Sequence, residues 1–233
     1  MRPQEPDVLR VARAGAYENS RPELRRHVSP GVSRILDLGC ASGVVGETLK
    51  LDLSVEVVGI ELDPVYAERA AARLDRVINA DIEELVASPD DLDDLGSFDC
   101  VLAGDVLEHL RDPWRTLGYF VSALRPGGVA IVSLPNIRHW QTFWQLGARG
   151  RWPRHSEGIF DRDHLRWFTV ADGTAMLERA GLRVQEVDYI YRLGTHISRW
   201  DSALARLERT PLREFLTFQF VLVGRREGPA GTP

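Results

Sequence analysis

Short, nearly continuous runs of Val, Ile and Leu recur between helical patterns along this chain: Ile35–Leu38, Val55–Ile60, Phe98–Ala103 and Val129–Leu134. A strand that alternates apolar with polar residues has one wet face. A strand that is apolar throughout is covered on both, as parallel strands are when helices pack on either side. The helix signals fall between the runs. Asp63-Pro64 and Asp112-Pro113 each place an N-cap before a proline at the first helical position. Thr169-Val170-Ala171-Asp172 reads as a capping box, and that helix is expected to stop at Gly181. Arg76–Asn79 adds a further strand, and Leu182–Tyr191 and Phe215–Val223 read as two closing strands around a helix at Ile197–Glu208. Strands and helices in this order, joined by right-handed crossovers, predict a single doubly wound α/β domain with a mostly parallel, seven-stranded sheet. Its expected bounds are residues 15–226, with loose ends at 1–14 and 227–233.

Composition removes several function classes. The formal charge of −5 argues against binding nucleic acid by bulk charge. Two cysteines, Cys40 and Cys100, exclude a disulfide framework and a four-cysteine zinc site. Apolar runs stay far below the ~20 residues that span a bilayer. Arg2, Glu5, Asp7, Arg10 and Arg13 leave no apolar stretch for a secretory signal, so a cytoplasmic location is expected. Lys50 is the only lysine among 29 basic residues, a bias of the kind a G- and C-rich genome produces.

In a doubly wound sheet, ligands bind beyond the carboxyl ends of the strands. The first strand ends in Asp37-Leu38-Gly39-Cys40-Ala41-Ser42-Gly43 and runs into a helix, whose free N–H groups and small residues admit a ligand. Glu61 ends the second strand, where a carboxylate accepts hydrogen bonds from a ribose diol. Asp81 follows the third and suits an adenine amino group, with Ile82 packing on the ring. Each feature alone also fits a plain turn or a solvated carboxylate. The dinucleotide pattern G-x-G-x-x-G is absent, because Ala41 and Val44 occupy its second and third glycine places. An acid about 20 residues on suits NAD as well, so Glu61 does not discriminate.

These segments, with Asp105-Val106-Leu107-Glu108-His109-Leu110 after the fourth strand and Leu124-Arg125-Pro126-Gly127-Gly128 before the fifth, resemble successive motifs of the class I S-adenosylmethionine-dependent methyltransferases over roughly residues 15–224. The resemblance implies the Rossmann-like methyltransferase fold and S-adenosyl-L-methionine as cofactor. It implies that Asp37 and the backbone of Gly39, Cys40, Ala41 and Gly43 surround the amino-acid part of the cofactor. Glu61 and Leu62 would lie at the ribose, Asp81 and Ile82 at the adenine, and Asp105, Val106 and His109 near the sulfonium. Tyr17-Glu18-Asn19-Ser20-Arg21 is similar to a stretch of one large subgroup in which Tyr17 would cover the cofactor and Arg21 pair with its carboxylate. Ala41 departs from the usual glycine; if the backbone there needs positive φ, it costs roughly 1 kcal/mol.

Pro135–Phe168 reads as a lid inserted after the fifth strand. It holds four of the six tryptophans (Trp140, Trp144, Trp152, Trp167), six arginines and three of the six histidines. Its segments Ser133–Trp140 and Asp161–Thr169 are similar to bacterial methyltransferases of polysaccharide or natural-product assembly. Most of its aromatics are expected to pack on the core, as aromatic stripes usually do. Aromatics and arginines that remain outside suit a sugar or natural-product acceptor, including an anionic one. The same mixture serves RNA, although Glu157, Asp161 and Asp163 dilute it. For a hydroxyl acceptor, His164 and His109 are the candidate general bases. Each also has a plain reading, His109 capping its turn and His164 fixing the lid through a backbone bond. His139, His155, Glu108 and Asp161 are lesser candidates. No metal-ligand spacing stands out, and a carboxylate-held Mg²⁺ stays open. The expectation is an O-methyltransferase of a small molecule. Open beside it are N- or C-methylation, RNA as acceptor, a non-catalytic cofactor-binding module and an NAD-dependent oxidoreductase.

Overall fold

The computed structural model describes residues 15, 18–87, 95–191 and 212–227. Tyr17, the helix expected at 197–208 and all of 1–14 and 228–233 lie outside them. The elements in chain order are α1 (Pro22–Arg25), β1 (Arg34–Leu38), α2 (Val44–Leu53), β2 (Glu56–Glu61), α3 (Pro64–Ala71), β3 (Arg76–Asn79) and α4 (Ile82–Ala87). After these come β4 (Phe98–Gly104), a 3₁₀ turn (Leu107–His109), α5 (Pro113–Ser122), β5 (Leu124–Pro135) and α6 (Trp140–Thr142), which continues as a π-helical turn over Phe143–Ala148. The last are α7 (Val170–Arg179), β6 (Leu182–Tyr191), α8 (Leu212–Leu216) and β7 (Thr217–Arg226).

The seven strands form one sheet in the order β3-β2-β1-β4-β5-β7-β6. β1 to β5 pair in parallel, whereas β7 runs antiparallel to both β5 and β6. The centre is apolar on both faces as the runs require: Ile35, Leu36, Leu38, Val57, Val58, Ile60, Val101 and Ile131 are fully shielded. One core cluster lies on the α4, α5 and α7 side, and a second on the α1, α2 and α3 side.

The caps form as the sequence indicates. Asp63 accepts from Val65 N and Tyr66 N, and Asp112 accepts from Arg115 N. Thr169 and Asp172 exchange both bonds of the capping box. Gly181 takes φ +87° just beyond α7. Several boundaries differ from expectation, β7 ending at Arg226 and β2 starting at Glu56 among them. Phe215 and Leu216 belong to α8, so β7 starts at Thr217. β5 reaches back to Leu124, taking in the Pro126-Gly127-Gly128 segment, with a register break between Phe98 and Cys100 on β4. No helix among the described residues is long and apolar enough to cross a membrane.

Candidate functional site

Strand order reverses between β1 and β4; of the predicted cofactor residues, Asp37, the Gly39–Gly43 loop, Asp105 and Val106 belong to the ends of these two strands, Glu61 ends the adjacent β2, and Asp81 and Ile82 follow the edge strand β3. The loop after β1 is pinned by Gly39 N and Cys40 N, which both donate to Ile60 O at 2.9 and 3.0 Å. Arg73 holds its far end through Ser42 O at 2.7 Å. Gly39, Ala41 and Gly43 all have positive φ, at 68°, 50° and 83°. Ala41 therefore does sit where an L side chain is strained. Glu61 compensates for this: its Oε2 accepts from Ala41 N at 2.8 Å and its Oε1 from Asp63 N at 2.9 Å. Burial raises the Glu61 carboxyl above its ordinary range. The glycines differ in purpose. A Cβ on Gly39 would lie 2.9 Å from Val106 Cγ2, and one on Gly43 would lie 3.0 Å from Ala70 Cα. Both are needed for packing of the loop against its neighbours.

Asp37, the penultimate residue of β1, is buried, and its Oδ2 has no hydrogen-bond partner. Burial, with the Glu61 charge adding to it, pushes this carboxyl up to about 7. A buried, unpartnered carboxylate oxygen just before a Gly-rich turn suits a cation, which is what the ammonium and sulfonium of S-adenosylmethionine offer. The residues present fit that group. Asp81 caps α4, its Oδ1 accepting from Glu83 N at 2.8 Å. Ile82 is buried in the core, while Leu62 is exposed beside Glu61. Cys40 is buried, with burial pushing its thiol far above the ordinary range, so what it offers a ligand is backbone.

Asp105, past the end of β4, has φ +55° and is fixed from three sides. Arg21 Nη2 lies 2.8 Å from its Oδ2, while Ser133 Oγ donates to Oδ1 at 2.7 Å and Gln219 Nε2 donates to the same oxygen. Burial alone would raise this carboxyl; Arg21, Ser133 and Gln219 more than offset it and hold it below the usual range. Arg21 itself is shared between Asp105 and Glu23. Ser133 and Gln219 are the partners that sequence reasoning missed. Their signal was there: each is a polar interruption in an apolar strand run.

One turn on, Glu108 Cδ carboxylate oxygens are both buried and without a hydrogen-bond partner. The backbone of Glu108 ties the lid down, its carbonyl accepting from Leu165 N at 2.9 Å and Arg166 N at 3.0 Å. That tether sets His164 against the 3₁₀ turn. His164 Nε2 lies 3.9 Å from Glu108 Oε1, and the His164 and His109 rings meet edge-on at 4.7 Å. His109 Nδ1 is 3.2 Å from Asp163 O. Burial, then the adjacent His109, holds His164 well below its ordinary value, so the ring is neutral at pH 7. Burial first, then Asp105, raises the Glu108 carboxyl. His139 is buried elsewhere, against Phe218, and Asp161 serves a turn through Asp163 N.

The lid corrects one expectation. Phe160 and Phe168 are buried, but Trp140, Phe143, Trp144, Trp152 and Trp167 are all at least 37% exposed. The reason is geometric. The Trp140–Ala148 segment is a short helix with a π-helical turn, and within Phe143–Ala148 no residue is buried. Asn136 anchors the lid's base by donating to Thr217 O at 2.8 Å.

A sheet of this order, with acids at its carboxyl ends on both sides of the switch, defines an α/β protein of the class I S-adenosylmethionine-dependent methyltransferase type. The sequence profile of the methyltransferase domain family matches residues 9–187, and the chain belongs to that family. S-adenosylmethionine is the cofactor of the class. The chain is 34% identical over 166 residues to a ubiquinone biosynthesis O-methyltransferase of Rhodopseudomonas palustris, covering 64% of this chain and 61% of that one. It is 36% identical over 111 residues to one of Bradyrhizobium, covering 47% and 42%. It thus spans about half the length of the curated relatives it matches. These relatives are named for ubiquinone biosynthesis, not for the polysaccharide or natural-product assembly that the subgroup resemblance implies. In fold it is similar to a methyltransferase of Archaeoglobus fulgidus, at a TM-score of 0.65 with 17% identity over 94% of this chain and 99% of that one. A Mesorhizobium loti methyltransferase gives 0.60 with 24% identity over 91% and 99%.

Proposed function

We propose that this chain is an S-adenosylmethionine-dependent O-methyltransferase acting on the hydroxyl of a small molecule. The observation that carries this reading is the Glu108, His109 and His164 group, set one turn beyond Asp105 and under the lid. It supplies two imidazoles where an acceptor hydroxyl must give up a proton. O-methylation is also the activity for which the ubiquinone-biosynthesis relatives are named. A quinone precursor therefore joins sugars and natural products as an acceptor class, and the exposed tryptophans and arginines of the lid suit a ring-bearing, anionic example of either.

When bound, S-adenosylmethionine supplies a methyl group on an electrophilic sulfonium. The residues do the rest. Asp37 and the Gly39–Gly43 backbone hold the amino-acid end, Glu61 with Leu62 the ribose, and the second oxygen of Asp81 with Ile82 the adenine. Val106 fills the floor beneath the sulfur. Arg21 has five N–H donors, enough to keep Asp105 and still meet the cofactor carboxylate. Orienting an acceptor oxygen in a dry pocket contributes about 7–11 kcal/mol in favourable systems. Removal of the acceptor proton at His164 or His109 adds about 10²- to 10⁴-fold.

The test is turnover of the purified protein on a panel of hydroxylated quinone precursors, sugars and aromatic natural products. Methyl transfer to one class is expected, falling at least about 100-fold in His164→Ala. Full turnover in that variant would remove His164 from the mechanism. Binding of S-adenosylmethionine with no transfer to any acceptor would favour a non-catalytic module.

A further inference from the structure

Glu108, His109 and His164 each offer one ligand atom, and these atoms lie within 4.8 Å of one another. We propose that they form a binding site for a divalent transition-metal cation, which receives the acceptor hydroxyl during methyl transfer. The inference rests on the O-methyltransferase reading above and deepens it.

Four features point to a cation. The Glu108 carboxylate is 1% exposed, and both of its oxygens lack a hydrogen-bond partner. A carboxylate removed from water with nothing to accept from is costly unless a positive charge meets it. Second, the rings are oriented from behind. His109 Nδ1 lies 3.2 Å from Asp163 O. His164 is held by the backbone of Ile159 and turns Nε2 toward Glu108. Metal-bound histidines nearly always have such an outer partner. Third, the nearest charges are mostly acidic. Asp105 and Asp161 act on this group, and against them stands the Arg21 guanidinium, which Asp105 and Glu23 neutralise. Fourth, the ligand set is two imidazoles and one carboxylate. Imidazole favours Zn²⁺, Fe²⁺ or Ni²⁺ over Mg²⁺, Mn²⁺ and Ca²⁺, and three protein ligands leave coordination positions open for an incoming oxygen.

The chemistry then balances simply. The cation acidifies the acceptor O–H, whose proton passes to water. The oxygen lone pair forms the O–CH₃ bond as the C–S bond breaks, and that electron pair stays on sulfur. With the cation bound, the two histidines act through it as ligands and water takes the proton; in the metal-free protein one of them is the base, as given above. Sequence spacing hides this site because His164 is 55 positions from His109. The Glu108 carbonyl bonds to Leu165 and Arg166 bring the two together.

The experiment titrates chelator-treated protein with Co²⁺, reading visible absorption and calorimetric stoichiometry. One equivalent with d–d bands is expected. His164→Ala and Glu108→Gln should each weaken Co²⁺ binding at least tenfold while keeping S-adenosylmethionine affinity, and His109→Ala should weaken Co²⁺ binding at least tenfold. No stoichiometric binding, or binding unaffected by the three variants, would overturn the site. If a variant fails to fold, the wild-type protein decides by NMR: two Co²⁺-shifted imidazole signals are expected, and none would overturn the proposal. Calorimetry with S-adenosylmethionine separates the two readings. Cofactor binding without metal binding removes only the metal, whereas no cofactor binding removes the methyltransferase reading itself.

Discussion

Asp37 is the residue on which stability and binding pull apart. Its carboxyl is pushed up to about 7 when folded, against about 4 in an unfolded chain. Between those values the folded state binds the extra proton, so this group costs stability as pH rises from 4 to 7, and the cost is constant above that. The full difference corresponds to about 4 kcal/mol at the outside. Asp37→Asn is therefore expected to resist urea better than the parent above pH 7 while binding S-adenosylmethionine less well; equal or lower stability at pH 8 would contradict the assignment. A bound cation beside Asp37 lowers its pKa, so cofactor binding near pH 6.5 should release protons. That release appears as a dependence of the binding enthalpy on buffer, absent in Asp37→Asn. The strained loop gives a second contrast. Ala41→Gly should change stability by no more than about 1 kcal/mol, because relief of the positive φ is offset by chain entropy. Gly39→Ala adds a strained φ and a clash with Val106, together about 2–4 kcal/mol, readable in denaturant midpoints.

At the scale of elements, the capping box of α7 is the simplest part to remove. Thr169→Ala should lower unfolding free energy by about 1 kcal/mol and leave cofactor affinity unchanged. A loss of affinity would mean that α7 sets the site through the lid, which ends one residue earlier. The elements were largely readable because burial on both faces leaves a continuous apolar run: Ile35–Leu38 and Phe98–Ala103 fall in strands, and so does Val55–Ile60 from Glu56 on. The start of β7 was not. Phe215 and Leu216 extend the apolar run by two residues, and a short apolar run has no period that separates a helical end from a strand. The lid was misjudged for a different reason. Its aromatics look like core material in sequence, but a short helix with a π-helical turn leaves Phe143 and Trp144 half exposed. The placing of Asp37, Glu61 and Asp105 at or just past strand ends was legible because each closes an apolar run. Glu108 with His164 was not, because their meeting depends on a lid whose path no local signal specifies.

For the whole molecule, the order β3-β2-β1-β4-β5-β7-β6 places the switch between β1 and β4, with Asp37 and the Gly39–Gly43 loop on one side and Asp105 on the other. The same kind of sheet can hold NAD, and Glu61 would serve either nucleoside. What separates them is the loop. Ala41 and Val44 stand where a pyrophosphate needs glycine, and the buried Asp37 oxygen would repel a pyrophosphate but attract a sulfonium or ammonium. The measurement that tests this most directly is isothermal calorimetry of the purified protein with S-adenosylmethionine, S-adenosylhomocysteine and NAD. Micromolar binding of the first two with no heat from NAD is the expected result. Binding of NAD with none of S-adenosylmethionine would contradict the account, and with it the roles given to Asp37, Glu61 and Asp105.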